Sequence, residues 1–261
     1  MNNYAKEWRL AGYPEGMGSE SFLPAPPRGF IRVYHFTSPN HVTRSIEHSR
    51  LKVARFSDTN DPFELMGLML REKGIRQAVR DFKKRCNNDV GLLCFSTNWD
   101  NPLLWSHYAA GHTGVCFGFD LKEGMARRVL YEEKRLMAIV DNKNRGRFVI
   151  DDDLKQRLLL TKSHHWIYED ELRVLINLPT ATKEGDLYFR TFDKDLRLAE
   201  VILGPRCSLK VETLRNVAKS TNPCAIVFRS RLEFGEFRVI RNGRDLPSIA
   251  EALEDRPSRC N

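Results

Sequence analysis

The sequence predicts an α+β protein built on a split, mostly antiparallel sheet with helices on its outside. From residue 30 onward the segments read strand, helix, strand, helix, and then mostly strands. This order lacks the regular strand–helix alternation that builds a doubly wound parallel sheet. The chain also has no G-x-G-x-x-G motif, which dinucleotide-binding sheets of that kind carry after their first strand.

The length allows one large domain or two small ones, and we expect one. The chain has 261 residues, enough to bury a core without disulfide or metal staples. Residues 1–29 are rich in Gly, Pro and Ser and end in PAPPRG, which predicts an irregular N-terminal arm. Residues 30–245 form the predicted domain, and residues 246–261 form a polar C-terminal tail.

Charge and cysteine usage narrow the class of protein. Lys and Arg outnumber Asp and Glu by 42 to 34, a net charge of +8. That excess favours an acidic partner such as nucleic acid, and it fits a generally basic protein equally well. The six cysteines contain no C-x-x-C pair and predict no disulfide framework. Cys94 and Cys116 lie in apolar runs, which is typical of buried thiols in a reducing compartment.

The sequence predicts no contact with a membrane. The first residues, MNNYAKEWRLAGY, lack the apolar core of a secretory signal. No stretch approaches the roughly 18 apolar residues of a spanning helix. We therefore expect a cytoplasmic protein.

The first half of the predicted domain alternates strands and helices. FIRVYHFT and LKVARF are rich in β-branched and aromatic residues and predict strands, with a helix over PNHVTRSIEHSRL between them. SDTNDPFE is a turn-rich loop, and residues 64–86 have the apolar spacing of a helix. The basic residues of that helix are either a solvated face or a phosphate-binding surface. They include Arg76, Arg80, Lys83 and Lys84.

Strands dominate the second half. VGLLCFS and TGVCFGFD predict buried strands on either side of a short helix, PLLWSHYAAG, that ends at Gly111. Residues 152–165 predict a helix, and YEDELRVLINL opens another strand. DLYFRTF, LAEVILGP and CAIVFRSRLEFGEFRVI supply further strands, with a helix near residues 209–220.

Three segments place polar groups among aromatic ones more densely than a plain core needs. They are YHFT at the end of the first strand, WSHYA with the following HTGVC, and WIYEDELRV. In the last segment, a strand would point Glu169, Glu171 and Arg173 to one face. Such a row is either a surface charge ladder or an acid pair in a cleft.

Missing motifs exclude a P-loop enzyme and weaken the hydrolase and metalloenzyme interpretations. The chain has no P-loop, no G-x-S-x-G and no H-E-x-x-H. His107 and His112 are five residues apart, a poor spacing for two metal ligands on one helix face. We therefore expect no metal site.

The motifs YHFT, NDPFE, WSHYA-x-x-H-x-G-V-C and W-x-YE-x-E-x-R, in that order, resemble a bacterial family known only as a domain of unknown function. The resemblance covers roughly Arg32 to Val239 and implies no activity by itself. The YHFT strand and the helix after it are also similar to the start of the DNA-modifying ADP-ribosyltransferase toxins. The whole series resembles the His–Tyr–Glu class of ADP-ribosyltransferases. That resemblance implies an ADP-ribosyltransferase-like fold and NAD as the substrate.

The resemblance also implies roles for individual residues. In that class a first-strand His holds the adenosine ribose, a Tyr stacks on nicotinamide, and a Glu that opens a later strand binds the other ribose. His35, Tyr108 and Glu171 hold these places by order and context. Glu169 and Glu171 together match the E-x-E of arginine-modifying transferases, so both are candidate catalytic residues.

Further NAD contacts are expected beside these three. The Thr37 hydroxyl can hydrogen-bond a ribose. Arg55, Asn60 and Asp61 follow the second strand and can bind the pyrophosphate or a ribose. Ser96 ends a buried strand and is expected in the same site.

The resemblance and the charge together imply an NAD-dependent ADP-ribosyltransferase that modifies RNA or DNA, in a bacterial toxin–antitoxin or phage-defence setting. Such a setting would add an antitoxin protein as a partner. Two alternatives stay open. One is another NAD consumer, such as a glycohydrolase or an RNA 2′-phosphotransferase. The other is a noncatalytic nucleic-acid-binding module that uses the basic helix.

This interpretation carries two structural expectations. The side chains of His35, Ser96, Tyr108 and Glu171 should meet in one cleft. Glu171→Gln should leave thermal stability nearly unchanged, because a carboxylate in an open cleft does little for the core.

Overall fold

A computed structural model gives the fold of residues 25–137 and 148–242, and the structural statements below concern these described residues. Residues 1–24 of the predicted N-terminal arm lie outside this part of the chain, as does the whole predicted C-terminal tail. The predicted domain is therefore described from its first strand to residue 242, apart from residues 138–147.

Strands outnumber helices in the described chain, as the sequence predicts. The strands are β1 (Phe30–Thr37), β2 (Arg50–Arg55), β3 (Val90–Ser96), β4 (Val115–Lys122), β5 (Arg127–Arg128), β6 (Leu130–Glu132), β7 (Thr161–Ser163), β8 (Glu171–Asn177), β9 (Thr182–Glu184), β10 (Leu187–Thr191), β11 (Leu196–Leu203), β12 (Ile226–Leu232) and β13 (Val239–Arg241). The helices are α1 (Pro39–Glu47), α2 (Lys73–Asp89), α3 (Pro102–Tyr108), α4 (Asp152–Leu160) and α5 (Val211–Thr221). Short 3-10 turns cover Phe56–Asp58, His164–Glu169 and Leu178–Thr180.

One large mixed sheet organises the described strands. Its order is β13-β12-β11-β4-β1-β3-β2-β10-β9, with β8 paired to β3 and β5 paired to β8. Among its described pairs, β11 and β12 run parallel and the rest are antiparallel. β6 and β7 form a separate parallel pair. The α+β class and the mostly antiparallel sheet are thus confirmed.

The sheet divides between β1 and β3. β1 pairs with β4 along its whole length of eight residues. With β3 it shares a single register pair, Tyr34 opposite Ser96. β3 instead pairs along its length with β8. The two halves of the sheet therefore part beside His35 and Ser96, and they leave an opening there.

The core explains which strands are central. The first seven residues of β4 are all buried, so this strand is covered on both faces. One apolar cluster lies beneath α1 and α5, and it contains Phe117 and Phe119 of β4. A second lies beneath α3 around Trp99 and Trp105, and a third beneath α2 and α4. The helices thus cover the sheet from outside, as predicted.

The helix predicted over residues 64–86 begins later, at Lys73. The backbone ahead of it is engaged elsewhere: Leu136 N–H donates to the Gly67 carbonyl at 2.7 Å, and Met69 N–H donates to the Leu136 carbonyl at 2.9 Å. Leu65 also has a φ of 61°, which a helix does not tolerate. The helix predicted from the spacing of apolar side chains is therefore wrong for residues 64–72.

The helix predicted over residues 152–165 ends at Leu160. The following residues form β7, which pairs with β6, and then the 3-10 turn His164–Glu169. Pairing with a distant strand therefore overrides the local helical pattern.

The prediction that Glu169, Glu171 and Arg173 share one strand face is wrong for Glu169. Asp170 has φ 41° and ψ 54°, a left-handed conformation that ends the 3-10 turn. β8 begins only after it, at Glu171. Glu171 and Arg173 do lie on one face of β8, as their spacing predicts.

The described cysteines are mostly thiols. Cys86, Cys94, Cys116 and Cys207 are free, which agrees with the expectation for Cys94 and Cys116. Cys224 is disulfide-bonded, a bond that cysteine spacing alone did not predict.

Among the described helices, none combines the length and the apolar character needed to cross a lipid bilayer.

A substitution at Gly114 tests how closely the loop after α3 packs against the end of β1. A Cβ added there would lie 2.2 Å from the Thr37 carbonyl oxygen and 2.9 Å from that of Ala109. We expect Gly114→Ala to lower the free energy of unfolding by about 1–3 kcal/mol, because backbone atoms must move to admit the methyl group. Urea denaturation measures the change.

Gly235→Ala is the matched control, because a Cβ there would meet no atom within 4 Å. Its stability should change by no more than about 0.5 kcal/mol. Equal stability of the Gly114 variant and the wild type would contradict the close approach at Thr37.

Candidate active site

A cleft opens where the two halves of the sheet part. Its volume is about 280 Å³, near the lower end of ligand-binding clefts, which span about 300–1,000 Å³. Residues from β1, β3, α3, β7, β8 and the loop after β2 line it. The polar or ionisable ones are Tyr34, His35, Asp58, Thr59, Asn60, Glu64, Cys94, Ser96, His107, Tyr108, Lys162, Glu169 and Glu171.

A buried arginine anchors the floor of this cleft. The Arg173 side chain is only 1% exposed, and it donates to both Glu64 and Glu171. Its remaining N–H bond goes to the carbonyl of Leu159 at 2.9 Å. All five N–H donors of the guanidinium are therefore used, which a buried arginine requires.

A buried lysine links the two candidate catalytic carboxylates, Glu169 and Glu171. Lys162 Nζ lies 3.0 Å from Oε2 of Glu171, and it also donates to Oε2 of Glu169. The Tyr108 hydroxyl donates to the other oxygen of Glu169 and accepts from the Asn60 amide at 3.1 Å. A continuous polar chain thus runs from Asn60 to Arg173 through both candidate catalytic carboxylates.

The two carboxylates differ in pKa. Burial raises the pKa of a carboxyl, yet Arg173 and Lys162 outweigh burial and lower the pKa of Glu171 to about 2. For Glu169, burial outweighs Lys162, and the charge on Glu171 adds to the rise in pKa. Burial also raises the pKa of the Tyr108 hydroxyl, as does the neighbouring Glu169. Glu171 is therefore the fixed negative charge, and Glu169 is the carboxylate that takes up a proton more easily.

The carboxylates also differ in free acceptor capacity. Glu171 accepts two N–H bonds from Arg173 and one from Lys162. These three bonds fill most of the roughly four lone-pair sites of a carboxylate. Glu169 accepts from Tyr108 and Lys162. Glu169 thus keeps more capacity to bind a ligand hydroxyl.

His35 enters the cleft as a neutral acceptor. Its Nδ1 lies 2.9 Å from the carbonyl oxygen of Cys94, so Nδ1 must carry the proton and donate. Burial lowers the pKa of the ring. In the neutral ring Nε2 is then the acceptor nitrogen, suited to a hydroxyl of a ligand.

The structure brings together six of the predicted site residues: His35, Asn60, Ser96, Tyr108, Glu169 and Glu171 all line the cleft. The predicted meeting of His35, Ser96, Tyr108 and Glu171 is therefore confirmed as geometry. Their catalytic and binding roles remain predictions.

Three other predicted contacts lie outside the residues that line the cleft. Arg55 stacks over the Tyr188 ring and donates to the Asp186 carbonyl. Asp61 is buried and accepts from the Phe63 N–H at 2.9 Å, so it shapes the turn that leads to Glu64. Thr37 ends β1 beyond His35.

The basic residues of α2 are mostly exposed, as predicted. Arg76 differs, because its guanidinium donates to the carbonyls of Leu70 and Arg71 at 2.9 and 2.7 Å and so fixes the loop before α2. The C-terminal end of α2 is held near the cleft, since Asn87 accepts from the N–H of Ser57.

Sequence reasoning missed two charged residues of the site and the role of a third. Glu64 belongs to the quoted NDPFE motif and Arg173 to W-x-YE-x-E-x-R, so the motifs contained them without showing that they pair. Lys162 lies in no quoted motif. It reaches the cleft because α4 ends at Leu160 and β7 turns the chain inward.

Comparison with known families agrees with part of the resemblance. The family described as "Protein of unknown function (DUF2971)" matches residues 104–174. That stretch runs from α3 into β8 and contains Tyr108, Lys162, Glu169, Glu171 and Arg173. A search of the curated proteins and a search of the solved structures found no match.

The burial of Glu171 corrects the expectation that its charge matters little for stability. Its carboxylate is 4% exposed and paired with two cations. We expect Glu171→Gln to lower the free energy of unfolding by about 3–5 kcal/mol at neutral pH, as when one partner of a buried ion pair is removed.

The loss should depend on pH in a defined direction. The folded-state pKa of about 2 lies below the ordinary value of 4.5, so the charge stabilises the fold above about pH 4.5. The gap between wild type and variant should narrow as the pH falls from there towards 2. Urea denaturation at several pH values measures it. Glu123→Gln, at an exposed position, should change stability by at most about 0.5 kcal/mol throughout. A gap that stays constant in acid would contradict this account.

Proposed function

We propose that the protein transfers ADP-ribose from NAD to a nucleic acid. The observation that carries the proposal is an excess of buried carboxylates in the cleft cluster: Glu64, Glu169 and Glu171 face two buried cations, Lys162 and Arg173. With all five groups ionised, one negative charge is left over. Such a cluster favours a positive charge on whatever binds against it.

NAD carries positive charge at its nicotinamide end. Its nicotinamide ring is cationic, and the ribose next to it becomes positive when the bond between them breaks. A cleft of about 280 Å³ is suited to this end of NAD rather than to the whole dinucleotide. Tyr108 offers a ring for stacking, and the neutral His35 offers an acceptor for a ribose hydroxyl.

The contacts of Glu171 and Glu169 suit the two carboxylates to different roles. Glu171 is ionised at any physiological pH and already accepts three bonds from Arg173 and Lys162, so it acts mainly through its charge. Glu169 has a raised pKa and spare acceptor capacity, which suits a general base. Lys162 touches both and holds them in place.

In the proposed step, the bond between ribose C1′ and the nicotinamide nitrogen breaks, and its electron pair leaves with neutral nicotinamide. Glu171 stabilises the positive charge that develops on the ribose, as a carboxylate does in glycoside cleavage. A lone pair on an acceptor nitrogen or oxygen forms the new bond to C1′. The acceptor proton passes to Glu169.

The fold supports the same proposal. The sheet divides at the cleft, with His35 on one side and Glu171 on the other. That arrangement favours an ADP-ribosyltransferase-like fold. The toxin–antitoxin or phage-defence setting rests on the resemblance of the motifs alone.

The rivals differ in their products. An RNA 2′-phosphotransferase would remove a 2′-phosphate from RNA and leave no stable label on the nucleic acid. A glycohydrolase would use the same carboxylates with water as acceptor, so acceptor labelling distinguishes it. A noncatalytic binding module would release no nicotinamide.

The activity test uses labelled NAD with separate pools of RNA, DNA and protein, and two variants. We expect Glu171→Gln to slow nicotinamide release by about 10²–10³-fold, since it removes a preorganised charge from the transition state. Glu169→Gln should slow nicotinamide release less and should mainly reduce labelling of the nucleic acid.

Glu123→Gln should keep full activity. Because Glu171→Gln also destabilises the fold, circular dichroism must show the variant folded at the assay temperature. Full activity of a folded Glu171→Gln variant would contradict the mechanism. NADH, whose ring is neutral, should be neither bound tightly nor consumed.

The basic face of α2 is proposed to bind the acceptor rather than NAD. Replacing Arg80, Lys83 and Lys84 with Ala should weaken nucleic-acid binding and flatten its dependence on salt. Each lost phosphate contact should reduce the log–log slope by about 0.9 on duplex DNA or about 0.7 on single strands. Arg76 is left in place, because its guanidinium caps the carbonyls before α2.

A control removes the same charge from exposed positions on other elements: Lys194, Lys210 and Lys219 changed to Ala. A smaller change in slope is expected there. Equal slopes for the two triple variants would make the α2 face an ordinary solvated surface.

A further inference from the structure

Three rings lie together beside the cleft, outside the chain of charges. We call His107, Trp166 and Tyr168 the aromatic rim. The ring centroid of His107 lies 6.2 Å from that of Trp166 and 6.0 Å from that of Tyr168, and Trp166 and Tyr168 are 6.0 Å apart. The motifs WSHYA and W-x-YE supply all three, yet the proposed transfer step uses none of them.

The rim is accessible and lies next to the proposed reaction. His107 is exposed and lines the cleft, and neither Trp166 nor Tyr168 is buried. Trp166 and Tyr168 belong to the same 3-10 turn as Glu169. Lys162 Nζ lies 5.1 Å from the centroid of the Trp166 ring, so the rim directly adjoins the charged cluster. A core has no need of such partly open rings.

Two exposed arginines lie on the strand that pairs with β8, next to the turn that carries the rim. Arg127 and Arg128 are exposed on β5, which pairs with the start of β8. Arg128 forms an ion pair with Asp170, two residues after Tyr168. Exposed rings with arginines next to them are the elements from which proteins build single-strand binding surfaces: bases stack on the rings, and cations contact the phosphates.

We propose that the aromatic rim stacks an unpaired base of a single-stranded nucleic acid, with Arg127 and Arg128 contacting its phosphates. The inference deepens the proposed function, on which it rests for its biological sense, by naming the acceptor as single-stranded. A base inside a duplex is already stacked and cannot lie flat on these rings. An unpaired base is free to do so, and it reaches the cleft mouth beside Glu169.

The test measures binding without NAD, so it does not depend on catalysis. Single-stranded DNA and RNA oligonucleotides of about 12 nucleotides, within the usual site size, are compared with the matched duplex by fluorescence anisotropy. We expect the single strands to bind more tightly. Trp166→Ala should weaken their binding by about 5- to 150-fold, the range measured for loss of one stacking ring.

Trp166→Phe keeps a stacking face and should restore most of the affinity, which a loss of fold would not explain. His107→Ala, at an exposed position, should also weaken binding and serves if Trp166→Ala does not fold. Phe237→Ala removes a fully exposed ring from another loop and should leave binding unchanged.

Four results would overturn the proposal: duplex binding as tight as single-strand binding, unchanged affinity in the rim variants, an equal loss in Phe237→Ala, or labelling of a protein acceptor with no oligonucleotide bound. If the rim binds single strands and no nicotinamide is released from NAD, the result supports the inference about the rim and contradicts the proposed transferase activity.

Discussion

The guanidinium of Arg173 ties together segments that the chain order keeps far apart. It holds Glu64 from the loop after β2, the last turn of α4 through the Leu159 carbonyl, and Glu171 beside it on β8. A buried arginine that loses a partner keeps its charge and pays the cost of desolvation. None of these segments can move away alone without that cost. The floor of the cleft is therefore fixed by one side chain, and the opening between β1 and β3 is built above it.

That fixed floor supports an arrangement that stability alone would not favour. Buried ion pairs seldom stabilise a fold more than apolar packing does, and a carboxylate without a matching cation is worse. Here Glu169 adds a third carboxylate to two cations and is kept there by Lys162 and Tyr108. Proteins break the rules of polar burial mostly at functional sites. The surplus carboxylate agrees with the proposal that the cleft binds a ligand carrying positive charge.

Sequence reasoning succeeded where the relevant information is local. The spacing of β-branched and aromatic residues placed β1, β3 and β4, and the motifs placed His35, Tyr108 and Glu171 at elements that the fold brings together.

Sequence reasoning failed where the relevant information is tertiary. Helical spacing ahead of Lys73 was overridden by backbone pairing with Leu136. Lys162 was missed because only the folded chain brings the side chain of a lysine in an ordinary polar stretch to Glu169 and Glu171. A single left-handed residue, Asp170, separates Glu169 from the strand on which period-two spacing had placed it.

Asp170 also ends the 3-10 turn that carries both Glu169 and two rings of the aromatic rim. The turn carries Trp166 and Tyr168 on its open side, while Glu169 at its end is buried against Lys162. Because Trp166, Tyr168 and Glu169 share this short turn, any shift of its backbone on base binding would move the rings and Glu169 together. Lys162 adds a second link, since it lies against the Trp166 ring and bonds both carboxylates. If a base stacks on the rim, its binding energy therefore reaches the proposed general base through one short turn. Recognition of the acceptor and activation of its nucleophile would then be a single event, which would favour transfer to nucleic acid over loss of ADP-ribose to water.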